Sequence, residues 1–148
     1  MQPRLSAIAT ASPAYVLDRA QAEELGRRLF GLDLDRLGSI HANAGIDRRA
    51  SCVPPDWLTR PHGWAERSRL FVDNAVTLGT RAAAACLDSA GLRPVEVDAI
   101  VAVSTTGVAT PSLDALLMAP LGLRTDVIRL PVFGLGCAGG VLGLARAA

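Results

Sequence analysis

The sequence predicts an α/β fold built from parallel βαβ units, and three observations carry that prediction. Val97 to Val103 and Val127 to Val132 are apolar, β-branched runs of the kind found in strands covered on both faces. Each is followed by small polar or glycine residues and then by a helical pattern, Pro111 to Leu121 after the first and Val141 onward after the second. Short strand-helix-strand-helix units of this kind pair their strands in parallel, which brings both strand-end loops to one edge of the sheet. The third observation is a long helical segment, Trp64 to Ala90, in which Phe71, Val72, Ala75, Val76, Gly79, Ala82, Ala83, Cys86 and Ala90 recur at three and four residues.

Taken in order, Leu5 to Thr10 is an apolar stretch stopped by Ala11-Ser12-Pro13 and reads as an edge strand. Asp18 is the expected N-cap of a helix that carries Leu25, Leu29 and Phe30 and closes near Gly31. Leu32, Leu34, Leu37 and Ile40 predict a second short helix, and Cys52 to Gly63, with Pro54, Pro55, Pro61 and Gly63, predicts a surface loop. The Trp64–Ala90 helix should end at Gly91, with Pro94 preventing continuation. Thr110 or Ser112 is expected to cap the helix that Gly122 stops.

Composition narrows the function. The chain has 148 residues and a formal net charge of +1, and all fifteen of its basic residues are arginine. Without lysine the chain has no Schiff-base nucleophile and no Walker-type phosphate loop. A charge so near balance gives no field for nucleic acid. Cys52, Cys86 and Cys137 are an odd set at irregular spacing, and the N-terminus lacks the apolar stretch of a secretion signal, so a reduced, cytoplasmic protein is expected. No run approaches the roughly 18 apolar residues of a membrane span. His41 and His62 are far apart with no CxxC nearby, so no metal site is expected. Hydrophobic residues make up 50% and charged residues 20%, a balance that points to more covered surface than one domain of this size provides. The final apolar helix runs to Ala148 without a cap, and the chain is read as one part of a larger domain.

Cys137 is the candidate for chemistry. It lies between a strand and a helix, with glycine at 134, 136, 139 and 140, where a sharp turn lets a substrate approach the backbone. A thiol at a helix N-terminus feels the positive end of the macrodipole, which favours the thiolate, and the free amides there can hold a developing oxyanion. The residues alone leave two readings open, a nucleophile that takes an acyl group or a small core residue in a packing turn. Cys86 falls in the alanine-rich stripe of the long helix and reads as packing. Gly134, Gly136 and Gly139 also match the GxGxxG spacing, but a dinucleotide fingerprint follows the first strand of its domain and requires an acidic residue about 20 positions later.

Val103-Ser104-Thr105-Thr106-Gly107, Thr110-Pro111-Ser112, Leu121-Gly122-Leu123 and Gly136-Cys137-Ala138-Gly139-Gly140 together resemble the amino-terminal half of type III polyketide synthases, the chalcone synthase-like branch of the thiolase superfamily. The resemblance implies a thiolase-like layered α/β fold of which residues 1–148 form the amino-terminal half. It also implies an acyltransferase that runs iterative decarboxylative Claisen condensations. A fatty acyl-CoA starter would acylate Cys137, malonyl-CoA would extend it, and the products would be alkylpyrones or resorcinols. CoA thioesters are then substrates, and no cofactor is needed. By the same resemblance a His and an Asn from the carboxyl-terminal half stabilise the enolate, so this chain alone is expected to be inactive, and the working unit is expected to be a homodimer. Thr105 and Thr106 match positions lining the starter and cyclisation cavity. Thr110 matches the position that crosses the dimer interface, where a small residue leaves room for longer chains, and Arg48 and Arg49 match the basic CoA-binding region. Ketoacyl-ACP synthase III, which condenses once on a carrier protein, is the rival enzyme, and a half-domain acting only as an interaction partner is the non-enzymatic alternative.

Overall fold

The structure is a computed structural model that describes residues 2–30 and 43–148. The helix expected over Leu32 to Ile40, together with His41, lies outside the described residues. The described chain forms two compact units, residues 12–63 and residues 2–11 with 64–148.

In the first unit, β1 (Tyr15–Asp18) pairs antiparallel with β2 (Arg48–Ser51), Tyr15 opposite Ser51 and Asp18 opposite Arg48. Helix α1 (Arg19–Phe30) follows β1 directly. Asp18 caps it as expected, since its Oδ1 accepts from the Gln21 amide at 2.8 Å while Gln21 Oε1 accepts from the Asp18 amide at 3.0 Å. This reciprocal pair satisfies two backbone donors that a helix start otherwise leaves open. Arg19 pairs with Asp47, and Leu17 and Val53 are the buried apolar side chains among the described residues of this unit. The proline-rich stretch is a loop except for one turn, α2 (Pro55–Leu58), in which proline takes a first-turn position that needs no amide.

The second unit holds the βαβ arrangement. Helix α3 (Trp64–Ala90) has the bounds that its apolar spacing predicts and ends at Gly91, whose φ of +67° glycine adopts without strain. Then come β3 (Ala99–Ser104), α4 (Leu113–Leu121), β4 (Ile128–Phe133), a 3₁₀ turn (Gly136–Ala138) and α5 (Gly139–Ala147). Strands β3 and β4 are parallel, Ala99 opposite Ile128 and Ser104 opposite Phe133. The Gly134 amide donates to the Ser104 carbonyl at 3.2 Å, so both strand-end loops do meet at one edge.

Alternation along the strands assigns the two faces. Ile100, Ala102, Ser104, Arg129, Pro131 and Phe133 share the face on which α4 packs, and α3 packs in turn on α4. Val101, Val103 and Thr105 face α5. Asp114, in the first turn of α4, is fully buried, with Oδ2 3.5 Å from Arg129 Nη1 and Oδ1 without a partner.

Leu5 to Thr10 forms no strand. Leu5 and Ile8 are exposed, and nothing among the described residues supplies the ladder that an edge strand must join. Helix α5 begins at Gly139, two residues before the predicted start, because both glycines continue the helix instead of ending the turn.

At the opposite edge of the sheet Arg124 ties the strand starts together. Its Nε donates to Asp126 at 2.9 Å, its Nη2 to Asp98 at 3.2 Å and its Nη1 to the Val95 carbonyl at 3.3 Å. The guanidinium hydrogen bond, then its charge, hold the Asp126 carboxyl below its ordinary value. A carboxyl depressed in the folded state stabilises it above the ordinary carboxylate range and ceases to do so as pH falls through the depressed value. Arg124→Ala is therefore expected to lower the urea midpoint at neutral pH by more in low salt than in 1 M NaCl, and to change it little once Asp126 is protonated. Equal losses at all three conditions would count against the clamp.

Candidate active site

Cys137 sits in the Gly136–Ala138 turn, two residues before α5, and its side chain is exposed. The turn is possible because Gly134 and Gly136 take φ values of +81° and +54°, in the left-handed region that side chains rarely enter. Directly across the sheet edge, Ser104 ends β3 and its Oγ donates to the Gly107 carbonyl at 2.9 Å, closing the Thr105-Thr106 loop into a compact turn.

The sheet brings Thr105 to the start of α5. Its Cγ2 stands 3.7 Å from where a Cβ on Gly139 would lie, at the start of the Cys137 helix. Thr106 lines a different depression of about 250 Å³, with Trp64, Arg67, Ser68, Phe71 and Val108. Thr110 is exposed beside the cis Thr110–Pro111 peptide, while its neighbours Ala109 and Ser112 line a cavity of about 340 Å³. That cavity is walled chiefly by Ala102, Val108, Leu113, Pro131 and Phe133, with Ser104 as a polar contact. It therefore opens on the α4 face, whereas the Cys137 helix covers the other. Arg48 and Arg49 lie on β2, in the unit formed by residues 12–63, and both are exposed. His62 belongs to that unit too, stacked on Trp57 at 3.6 Å between ring centroids, with Nε2 2.7 Å from the Trp57 carbonyl oxygen.

Two residues of this site escape a sequence reading. Phe71 and Val103 look like any other apolar position of their helix and strand, yet each presses on a glycine of the site. A Cβ on Gly107 would stand 2.0 Å from Phe71 Cε1, and Cβ atoms on Gly139 and Gly143 would stand 2.8 and 2.6 Å from the two γ-methyls of Val103. The only signal in the sequence is the glycines themselves.

No group of three or more His, Cys, Asp and Glu among the described residues could hold a metal ion, and no described helix is long and apolar enough to cross a membrane.

Residues 60–148 match the family described as chalcone and stilbene synthases, N-terminal domain. The 1,3,6,8-tetrahydroxynaphthalene synthase of Streptomyces peucetius subsp. caesius is 36% identical over 96% of this chain and 38% of its own length. A putative chalcone synthase of Bacillus subtilis (strain 168) is 35% identical over 95% of this chain and 41% of its own. The acylalkylpyrone synthase csyB of Aspergillus oryzae is 30% identical over 90% and 35%. Among solved structures, the I375F mutant of CsyB superposes with a TM-score of 0.86 at 29% identity, covering 97% of this chain and 40% of that one. Tetrahydroxynaphthalene synthase from Streptomyces coelicolor A3(2), a bacterial type III polyketide synthase, superposes at 0.83 with 26% identity, covering 94% and 40%. The chain thus belongs to the chalcone and stilbene synthase family and has the thiolase-like α/β fold of type III polyketide synthases. It spans about two fifths of the length of these relatives.

Proposed function

We propose that this chain supplies the nucleophile half of a type III polyketide synthase, with Cys137 as the acyl acceptor. The observation that carries this is the thiol's position on a glycine-formed turn at the start of α5, across the sheet edge from Thr105. In the first step the Cys137 sulfur attacks the carbonyl of an acyl-CoA thioester. A new sulfur–acyl bond forms, the bond to CoA sulfur breaks, and CoA leaves as its thiol. Malonyl-CoA then loses carbon dioxide, and its enolate carbon attacks the Cys137 thioester, expelling the cysteine sulfur and lengthening the chain by two carbons. The extended chain, now on CoA, can return to the thiol for another round.

Enolate stabilisation falls to a His and an Asn in the part that follows in the relatives, and the isolated chain is inactive without them. Exposed apolar surface on α5 and β4 supports this division: Val141 and Leu144 on α5 are 72% and 67% exposed, and Ile128 and Phe133 on β4 are exposed as well. Buried apolar side chains among the described residues are Leu17, Val53, Leu121 and Val127, a thin core that needs further cover. That cover is the carboxyl-terminal half and a second subunit, with Thr110 at the interface and Arg48 and Arg49 toward the CoA phosphates.

For the substrate, the identity to an acylalkylpyrone synthase supports a fatty acyl starter and alkylpyrone or resorcinol products. A small starter with aromatic products is the second reading, favoured by the identity to a tetrahydroxynaphthalene synthase. Full-length protein supplied with lauroyl-CoA, acetyl-CoA or malonyl-CoA alone, each with malonyl-CoA or malonyl-ACP as extender, separates these readings. The expected result is a multiply extended lauroyl product from malonyl-CoA. Extension once only, or only from malonyl-ACP, would instead identify a ketoacyl-ACP synthase-like enzyme, and naphthalene-type products without a starter would support the second reading.

A further inference from the structure

Helix α5 lies close on the sheet, and a single side chain sets the approach. Val103, the fifth residue of β3, points its branched end at α5, where Gly139 and Gly143 are one turn apart on the facing side. Both glycines are buried, and a Cβ on either would stand within 2.8 Å of a different valine methyl, 2.8 Å from Cγ1 for Gly139 and 2.6 Å from Cγ2 for Gly143. Such a distance is far inside the 3.5 to 4.0 Å or so at which carbon atoms rest. The valine is a knob held by a two-glycine socket. Val101, on the same face of the same strand, only reaches ordinary contact, 3.9 Å from the Gly143 position.

Cys137 is two residues from the first socket glycine, on a turn whose other end is fixed by the Gly134 amide on Ser104. The height of α5 over Val103 therefore fixes where the sulfur stands relative to the Thr105 loop. We propose that Val103 is a positioning residue for Cys137: its two γ-methyls, clasped by Gly139 and Gly143, hold the thiol at the sheet edge in line with an incoming thioester. This rests on the reading of Cys137 as the acyl acceptor.

The test is single-turnover acylation of full-length protein by lauroyl-CoA and, in parallel, acetyl-CoA, followed by mass spectrometry of the Cys137 peptide. Val103→Ala empties the socket and lets α5 settle, which should slow acyl transfer to Cys137 by about 10- to 100-fold with little change in the acyl-CoA concentration giving half the maximal rate. Val101→Ala removes the same volume from the same face and should leave the acylation rate within about threefold of wild type. Adding Gly143→Ala to Val103→Ala returns a methyl to the socket from the helix side, and the double variant should recover most of the lost rate. If Val103→Ala does not fold, the double variant decides, since a rate within about threefold of wild type supports the proposal and a slower one overturns it. Equal slowing by Val101→Ala and Val103→Ala would also overturn it, because the effect would then be one of general sheet packing. Absence of acyl adduct on wild-type Cys137 with both thioesters would overturn the nucleophile assignment and this proposal with it, whereas a wild-type adduct with an unaffected Val103→Ala removes only the proposal.

Discussion

Cys137→Ala is expected to reduce polyketide formation by the full-length protein by about 10⁴-fold or more, the scale on which loss of a covalent nucleophile is felt. On the proposed mechanism the thiol is the group that breaks and remakes a bond in every cycle, so no neighbouring residue should compensate for it. Release of carbon dioxide from malonyl-CoA should behave differently, because that step consumes no thiol and depends on groups that stabilise the enolate. The expected pattern is loss of acyl-enzyme and product with measurable decarboxylation remaining, read by mass spectrometry and by carbon dioxide release. Cys86→Ala removes a half-buried thiol near the C-terminal end of α3 and should leave turnover within about twofold, since surface and packing sites away from the chemistry act on stability. Wild-type product yield from Cys137→Ala would return the residue to the packing role that its glycine-rich turn equally allows.

The places of these two cysteines were legible in the sequence, because they depend on local pattern. A thiol in an alanine stripe at helical spacing is surrounded by its own helix, and a thiol between a β-branched run and a helix start is at a strand end. The Trp64–Ala90 helix was legible for the same reason, with its period and its glycine stop both written locally. The β1/β2 pair was not. Arg48-Arg49-Ala50-Ser51 has no alternation of apolar and polar residues, and it becomes a strand only because Tyr15–Asp18 lies opposite, more than thirty residues earlier. Leu5 to Thr10 is the converse case, in which an apolar run suited to a strand finds no ladder among the described residues.

The candidate site divides in the same way. The loops that carry Thr105 and Cys137 could be placed at one edge from sequence because parallel strands bring their carboxyl ends together, and the Gly134–Ser104 hydrogen bond joins those ends. What sequence could not supply is which apolar residue each glycine accommodates. Gly139 and Gly140 read as turn formers, yet neither has a positive φ, and Gly139 is required by contact with Val103. Gly107 reads as the end of a polar strand-end motif, but its conformation is also open to other residues. Its need for hydrogen in place of a side chain comes from Phe71, thirty-six positions earlier, on a helix that no local signal ties to this loop.

That contact makes Gly107→Ala the substitution with the largest expected structural effect. The added methyl would stand 2.0 Å from Phe71 Cε1, 2.1 Å from Cδ1 and 2.3 Å from Cζ, inside the ring's own volume. Either the ring swings toward the groove lined by Trp64, Arg67 and Ser68, or the loop from Thr105 to Val108 lifts off α3. Overpacking of this kind costs about 1 to 3 kcal/mol, and the limited freedom of a ring carried on a 27-residue helix places the expected loss at the upper end. Phe71→Ala alone also destabilises, by removing an aromatic contact, but in the Gly107→Ala background it removes the clash. The two changes should therefore couple, with the double variant more stable than the sum of the single losses by about 1 kcal/mol or more in urea unfolding. Simple additivity would mean that the loop yields without involving the ring. The same variants bear on chemistry, because lifting the loop carries Thr105 away from the start of α5. In the full-length protein Gly107→Ala should change the distribution of product lengths, and Phe71→Ala in that background should bring it back toward wild type.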